Sequence, residues 1–436
     1  MGVLGYFTGL VLYNITGGLF MFRVSQKALG LFGCVTLFFA FFAIQVFCST
    51  GEPSVGATIF IHGTLPTARW SVERYRANAF TPFDQIVGEK NVLREYQLSG
   101  VADGVVCDDL PIAENFIIPA YHAAAQAVGV AHKTERYFTF GWSGLLSRLE
   151  RRQAAEDLYG SLTALHDDIK KTTGIDPEIR IIAHSYGGEV GELLSEAEEQ
   201  HRNKLHVSWL FMYGTPMHAG SVNSLLSPVF QTVVLVSSPG DRIQPLDIFS
   251  TDGHKRAQMR MADVVPDLEK FVHGHQASLG GPLARCDVHI CVGDNPRHIT
   301  HTNMWLLGRS RPIVKGFLDE LPLVVLTPLF MKTLEKDECS RTSYRLTLKA
   351  DKTACWTCLE LDEHEVCSRL FGRRKRAGAK QQQILLECHD GACALYDVLH
   401  EWDLKAQAVW RPCDRSRNVV LNHKNFEIIK SFIWPW

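Results

Sequence analysis

Apolar side chains recur along this chain with two different periods. From Ala57 to Ile61 the run ATIFI is β-branched and aromatic and is closed by His62-Gly63, which predicts a buried strand entering a turn. A second strand is predicted at Tyr137 to Trp142. The period then lengthens: Leu146, Leu149, Ala154, Leu158, Leu162 and Leu165 recur at three- to five-residue steps, a helical stripe that ends near Gly174. After it come a short strand, Ile179 to Ala183, a helix from about Gly188 to Gln200, a strand within Val207 to Met212, and strands at Thr232 to Val236 and Val288 to Val292. Strands alternating with helices predict an α/β fold, a mostly parallel sheet flanked by helices, whose ligands sit beyond the carboxyl ends of the strands. A helix from about Ile313 to Glu320 is expected to close it.

The amino-terminal region has a different pattern. Met1 to Phe22 holds no charged residue, and after Arg23 and Lys27 a second uncharged run spans Ala28 to Gly51. A bilayer crossing needs about 20 mostly apolar residues. The first run is broken by Asn14, Thr16, Gly17 and Gly18, so the stronger segment is LFGCVTLFFAFFAIQVF, Leu31 to Phe47. Arg23 and Lys27 precede it, and the positive-inside rule then keeps them cytoplasmic and sends everything after Cys48 across. A cleaved signal peptide, initiated at Met21, fits the same order of charge and apolar run and also exports the rest; a buried core helix is the alternative to both. Residues 1–50 are therefore expected to be an anchor or signal, and the remainder to lie on the non-cytoplasmic side.

Length adds a second expectation, because 436 residues exceed what one core usually holds. Beyond Pro322 the chain becomes rich in cysteine and carries the basic segment GRRKRAGAK at Gly372 to Lys380, so boundaries are placed at 51–322 for a large α/β domain and 323–436 for a small Cys-rich one. The basic segment reads as a solvated loop, with lipid-headgroup or protease recognition as the alternatives. Ten of the 12 cysteines follow Cys48, and Cys339, Cys355, Cys358, Cys367, Cys388, Cys393 and Cys413 crowd the tail. Disulfides, unpaired thiols and a zinc site around Cys355, Cys358, Cys388, His389 and Cys393 all remain open. A net charge of -2 gives no electrostatic reason to expect nucleic acid.

The candidate chemistry centres on Ile181-Ile182-Ala183-His184-Ser185-Tyr186-Gly187-Gly188, a serine between an apolar strand and a helix with small residues beside it. A serine at such a turn can aim its hydroxyl into a cleft. It can also simply cap the helix. A nucleophilic serine needs a base, and the base an orienting carboxylate. Downstream lie Ser237-Ser238-Pro239-Gly240-Asp241-Arg242, with Asp247 six residues on, and then a loop holding His298 and His301.

The Ser185 segment resembles the nucleophile elbow G-x-S-x-G of the α/β-hydrolase superfamily, with Ala183 in place of the first glycine. Three further segments are similar to lipase-like members: Phe140-Gly141-Trp142-Ser143-Gly144, followed by Arg152, Ala154 and Ala155; Gly214-Thr215-Pro216 closed by Gly220-Ser221; and His301-Thr302-Asn303-Met304 running to Arg311-Pro312-Ile313-Val314. The resemblance covers about Ala57 to Glu320 and implies an α/β-hydrolase fold with Ser185 as nucleophile, Asp241 as acid and His301 as base. His298 and Asp247 are the alternative base and acid. It also implies an oxyanion hole from the amides of Tyr186 and Thr64, the latter in a His62-Gly63-Thr64 turn, with His62 a structural hydrogen-bonder. No phosphate loop or metalloprotease helix appears, so no cofactor and no metal are expected. The implied activity is hydrolysis of carboxylic esters, lipid or acyl esters before peptides. Rival readings are a catalytically idle fold acting as a membrane-anchored binding module, and an acyltransferase or peptidase on the same fold. The segment Leu65 to Arg136, with its apolar stretch Phe116 to Tyr121, is read as cap, acyl pocket or plain scaffold.

Overall fold

A computed structural model of the chain describes residues 10–15, 18–23, 54–64, 91–96, 98, 114–145, 147–203, 205–216, 221–238, 240–241, 284–292, 299–307, 313, 318–336, 343–351, 356–362, 395 and 397–407. The chain divides into two compact units, Met1–Ser54 and Val55–Trp436. In the first, β1 (Leu10–Ile15) pairs antiparallel with β2 (Gly18–Arg23), setting Leu12 opposite Met21 and Tyr13 opposite Phe20. Part of the first uncharged run is thus a strand pair, with Gly18, one of its interruptions, opening the second strand. The apolar run from Leu31 to Phe47 lies outside the described residues. Among the described residues no helix is long and apolar enough to cross a membrane.

The second unit is built on one nine-stranded sheet: β3 (Val55–Ile61), β4 (Val92–Tyr96), β5 (Thr134–Gly141), β6 (Glu178–His184), β7 (Val207–Tyr213), β8 (Phe230–Ser237), β9 (Ala284–Val292), β10 (Ser343–Asp351) and β11 (Trp356–Asp362). Their spatial order is β11-β10-β9-β8-β7-β6-β3-β5-β4. The seven inner strands run parallel, and β4 and β11 lie antiparallel on the two edges. Alternate residues feed two cores. Phe60, Ile182 and Phe211 enter one, while Ile59, Ile61, Ile181, Ala183, Leu210 and Met212 enter the other, as the two-residue period of a strand requires.

Helices cover both faces. On one lie α1 (Glu114–Val128) and α6 (Thr327–Lys336); on the other α2 (Arg148–Thr173), α3 (Tyr186–Glu192), α4 (Leu194–His201) and α5 (Ser221–Leu225). The Ser147 hydroxyl accepts from the Glu150 amide at the start of α2, and Gly174 ends that helix in the left-handed region at φ 74°. Ala154, Leu158, Leu162 and Leu165 are buried, as their spacing predicts. Leu149 departs from the stripe and is 77% exposed, because at 3.6 residues per turn it falls opposite the face that Arg151, Ala155, Leu158 and Leu162 bury. The stretch Phe116 to Tyr121 belongs to α1 and is buried in the first core, so its role is scaffold.

Two expectations change. The single helix after Ser185 is two, broken at Leu193, and the closing helix is not at 313–320: Ile313 and residues 318–320 are not helical, and α6 follows instead after the 3-10 turn Leu323–Leu326. Chain on both sides of Pro322 contributes to the one sheet, since β10 continues it from β9. Leu395, Leu399 and Ala406 join the same core as Trp305 and Leu321, and the buried Asp403 carboxylate accepts from the amides of Asp319, Glu320 and Leu321 at 2.9 to 3.1 Å. Of the tail cysteines, only Cys358, on β11, falls among the described residues.

Candidate active site

From β3 the chain moves to β5 on one side and then returns to β6 on the other, so the connections leaving β3 and β6 diverge. Such a switch point opens a crevice at the carboxyl ends of the strands. Ser185 stands there. It follows the last residue of β6 and precedes the first of α3, with φ 53° and ψ −131°, a backbone conformation that costs a non-glycine residue about 1–3 kcal/mol. Two bonds hold it: its amide donates to the Tyr213 carbonyl at 2.8 Å, and its carbonyl accepts from the Gly188 amide at 2.9 Å.

The small neighbours are required by this turn. A Cβ on Gly63 would stand 2.7 Å from the Ser185 Cβ, and one on Gly187 would collide with the His62 carbonyl. The loop carrying Gly63 and Thr64 is thus pressed directly against the serine. His62 holds that loop. Its Nε2 accepts from the Trp142 amide at 3.3 Å and its Nδ1–H donates to the Gly63 carbonyl at 2.6 Å, while the Trp142 indole donates to the His62 carbonyl at 2.8 Å. Burial lowers His62 to about 4, so the ring is neutral and its role is structural.

Asp241 and His301 meet from two loops 60 residues apart. His301 Nδ1 lies 2.8 Å from Asp241 Oδ2, both side chains buried. A carboxylate only accepts, so Nδ1 carries a proton and Nε2 is the ring nitrogen turned away from Asp241. His301 opens the 3-10 turn His301–Met304, which is capped by Thr300 and Asn303 through reciprocal side-chain and backbone bonds. Gly214 supports the pair from below. It has φ 58°, and a Cβ there would lie 2.8 Å from both Asp241 Oδ2 and His301 Nδ1.

Three features of the site carry little sequence signal. His184 is buried, with its Nε2 3.1 Å from the His301 carbonyl and its ring against both His301 and Trp305. Arg151, also buried, lies 4.5 Å over the Tyr186 ring and 3.0 Å from Glu189, so α2 is tied to α3. Gly214 stands out in sequence only as part of a Gly-Thr-Pro loop. A polar residue ending an apolar strand was the available cue for His184. His298 and Asp247, the alternative base and acid, lie outside the described residues. No model of a known protein family matches this chain, and no curated protein matches it.

Proposed function

We propose that the chain is a serine hydrolase of the α/β-hydrolase superfamily that cleaves carboxylic esters through an acyl-enzyme. The observation that carries this reading is the buried Asp241–His301 hydrogen bond of 2.8 Å, with the His301 ring 4.4 Å from that of His184, the residue before a serine held at positive φ against Gly63. In the proposed reaction His301 Nε2 takes the hydroxyl proton as Ser185 Oγ attacks the ester carbonyl, and Asp241 stabilises the imidazolium. The oxyanion meets the amides of Tyr186 and Thr64. His301 returns the proton to the departing alcohol, and water repeats the sequence to release the acid. Lipid or other acyl esters are the proposed substrates, and the apolar run from Leu31 to Phe47 is the proposed anchor or signal that puts the site on the non-cytoplasmic side of a membrane. A reporter fused after Glu52 appearing in the cytoplasm would refute that placement.

The test of the chemistry is labelling by a fluorophosphonate. Wild-type protein should be labelled and Ser185→Ala should not, with both equally folded by circular dichroism. A wild type that resists the probe would favour the idle, binding-only reading. Activity on esters of graded acyl length would then separate a lipase-like pocket from an acyltransferase or peptidase.

A further inference from the structure

The proposed triad leaves one buried imidazole beside it unused. His184 ends β6, where its backbone is fixed by pairing with Tyr213, and it follows Ile181, Ile182 and Ala183, all buried and apolar. A leucine or phenylalanine would fill this volume without the cost of burying a polar ring. The imidazole does two things that they cannot do together. Its Nε2–H donates to the His301 carbonyl at 3.1 Å, and its ring lies between two residues of one turn, 4.4 Å from the His301 centroid and 5.4 Å from Trp305, nearly parallel to the indole at 9°.

We propose that His184 is a positioning residue that couples the nucleophile strand to the histidine loop and so sets the approach of His301 to Ser185; the proposal rests on the hydrolase reading above. The bonds already described leave this coordinate open. Asp241 fixes one ring nitrogen of His301 but not where its backbone stands, and the Thr300–Asn303 cap shapes the turn without tying it to β6. The His184 bond ties the His301 backbone to β6, one peptide link from the nucleophile. His184 and Ser185 therefore move as one body, and the base moves with them. A catalytic pair tolerates only about 0.5 Å of error, so a tie of this kind controls rate more than binding.

The experiment compares His184→Phe, which keeps an aromatic ring and loses the donor, with His184→Gln, which keeps a planar donor. Ser185→Ala serves as the reference for labelling. Readouts are kcat and KM on a soluble p-nitrophenyl ester, and the second-order rate of fluorophosphonate labelling at Ser185. For His184→Phe, kcat and labelling should fall about ten- to a hundredfold, the scale of a misplaced catalytic group, with KM unchanged within about twofold. His184→Gln should recover most of that loss. If the phenylalanine variant does not fold, His184→Leu carries the same expectation. Wild-type labelling rates in the donor-free variants, or equal losses in the phenylalanine and glutamine variants, overturn the proposal while leaving the hydrolase reading intact. A wild type that is not labelled, or a Ser185→Ala protein that is, overturns both.

Discussion

Replacing Gly214 by alanine tests the site at the point where backbone and chemistry meet. Gly214 cannot retreat easily, because its amide donates to the Val236 carbonyl at 2.9 Å and so ties it to β8. A methyl group there would stand 2.8 Å from Asp241 Oδ2, 2.8 Å from His301 Nδ1 and 3.1 Å from His301 Cε1. Ordinary van der Waals contact needs roughly half an ångström more, and the atoms that must yield are the two ends of the Asp241–His301 hydrogen bond. The left-handed backbone at φ 58° adds about 1 kcal/mol for alanine. A hydrogen bond to a charged group contributes about 1.5–3 kcal/mol, which converts to roughly ten- to a hundredfold in rate. Displacement of the imidazole from Ser185 adds to this, up to a further hundredfold or so. Gly214→Ala should therefore lower kcat on a soluble ester by about 10–10⁴ while KM changes little and the fold survives. In an Asp241→Asn background the same substitution should cost far less, since the bond it disrupts is already lost. Steady-state kinetics on the four proteins of this cycle, at matched folded concentration, give the answer. A Gly214→Ala enzyme within about threefold of wild type, or full additivity with Asp241→Asn, would refute the geometry argued here.

Three other outcomes are expected. His301→Ala should lower ester turnover by several orders of magnitude and Asp241→Asn by less, whereas His298→Ala should change it little; a dead His298→Ala beside an active His301→Ala would move the base three residues. Arg180→Met should destabilise the protein by about 3–5 kcal/mol in denaturant titrations, because Arg180 is the buried partner of Glu135 at 3.3 Å and of Glu178 at 2.8 Å. That network sits at the far end of β6, so kcat of the folded variant should be unchanged; unaltered stability would show the ion pairs to be dispensable. Burial first, and the Glu189 carboxylate second, raise Glu192 to about 8, so the folded state binds a proton that the unfolded chain has released, and stability should fall as pH rises from about 4.5 to about 8. Glu192→Gln should flatten that slope in thermal denaturation; parallel curves for both proteins would contradict it.

Much of the architecture is legible in the sequence because the signals involved are local. A strand buried on both faces must be a continuous apolar run, so Ala57 to Ile61, Ile179 to Ala183 and Val207 to Met212 announce β3, β6 and β7, each within one or two residues of its ends. The elbow is legible for a similar reason, since a serine at positive φ needs small neighbours within a few positions. Loose three- to five-residue steps do not fix which face a helix buries, and so Leu149 reads as core but lies opposite the buried face of α2 and is exposed. Nor does it reveal partners. β10 and β11 look like parts of a separate tail until pairing with β9 makes them an extension of the sheet. Asp241 and His301 are ordinary turn and loop residues until two strands in parallel register bring their loops together at 2.8 Å. The roles of Gly214 and His184 exist only in that assembled crevice, because each is defined by the atoms of a loop distant in sequence. Local apolar runs marked most of the inner strands and small neighbours marked the serine between one of them and a helix; long-range register decided which residues surround it.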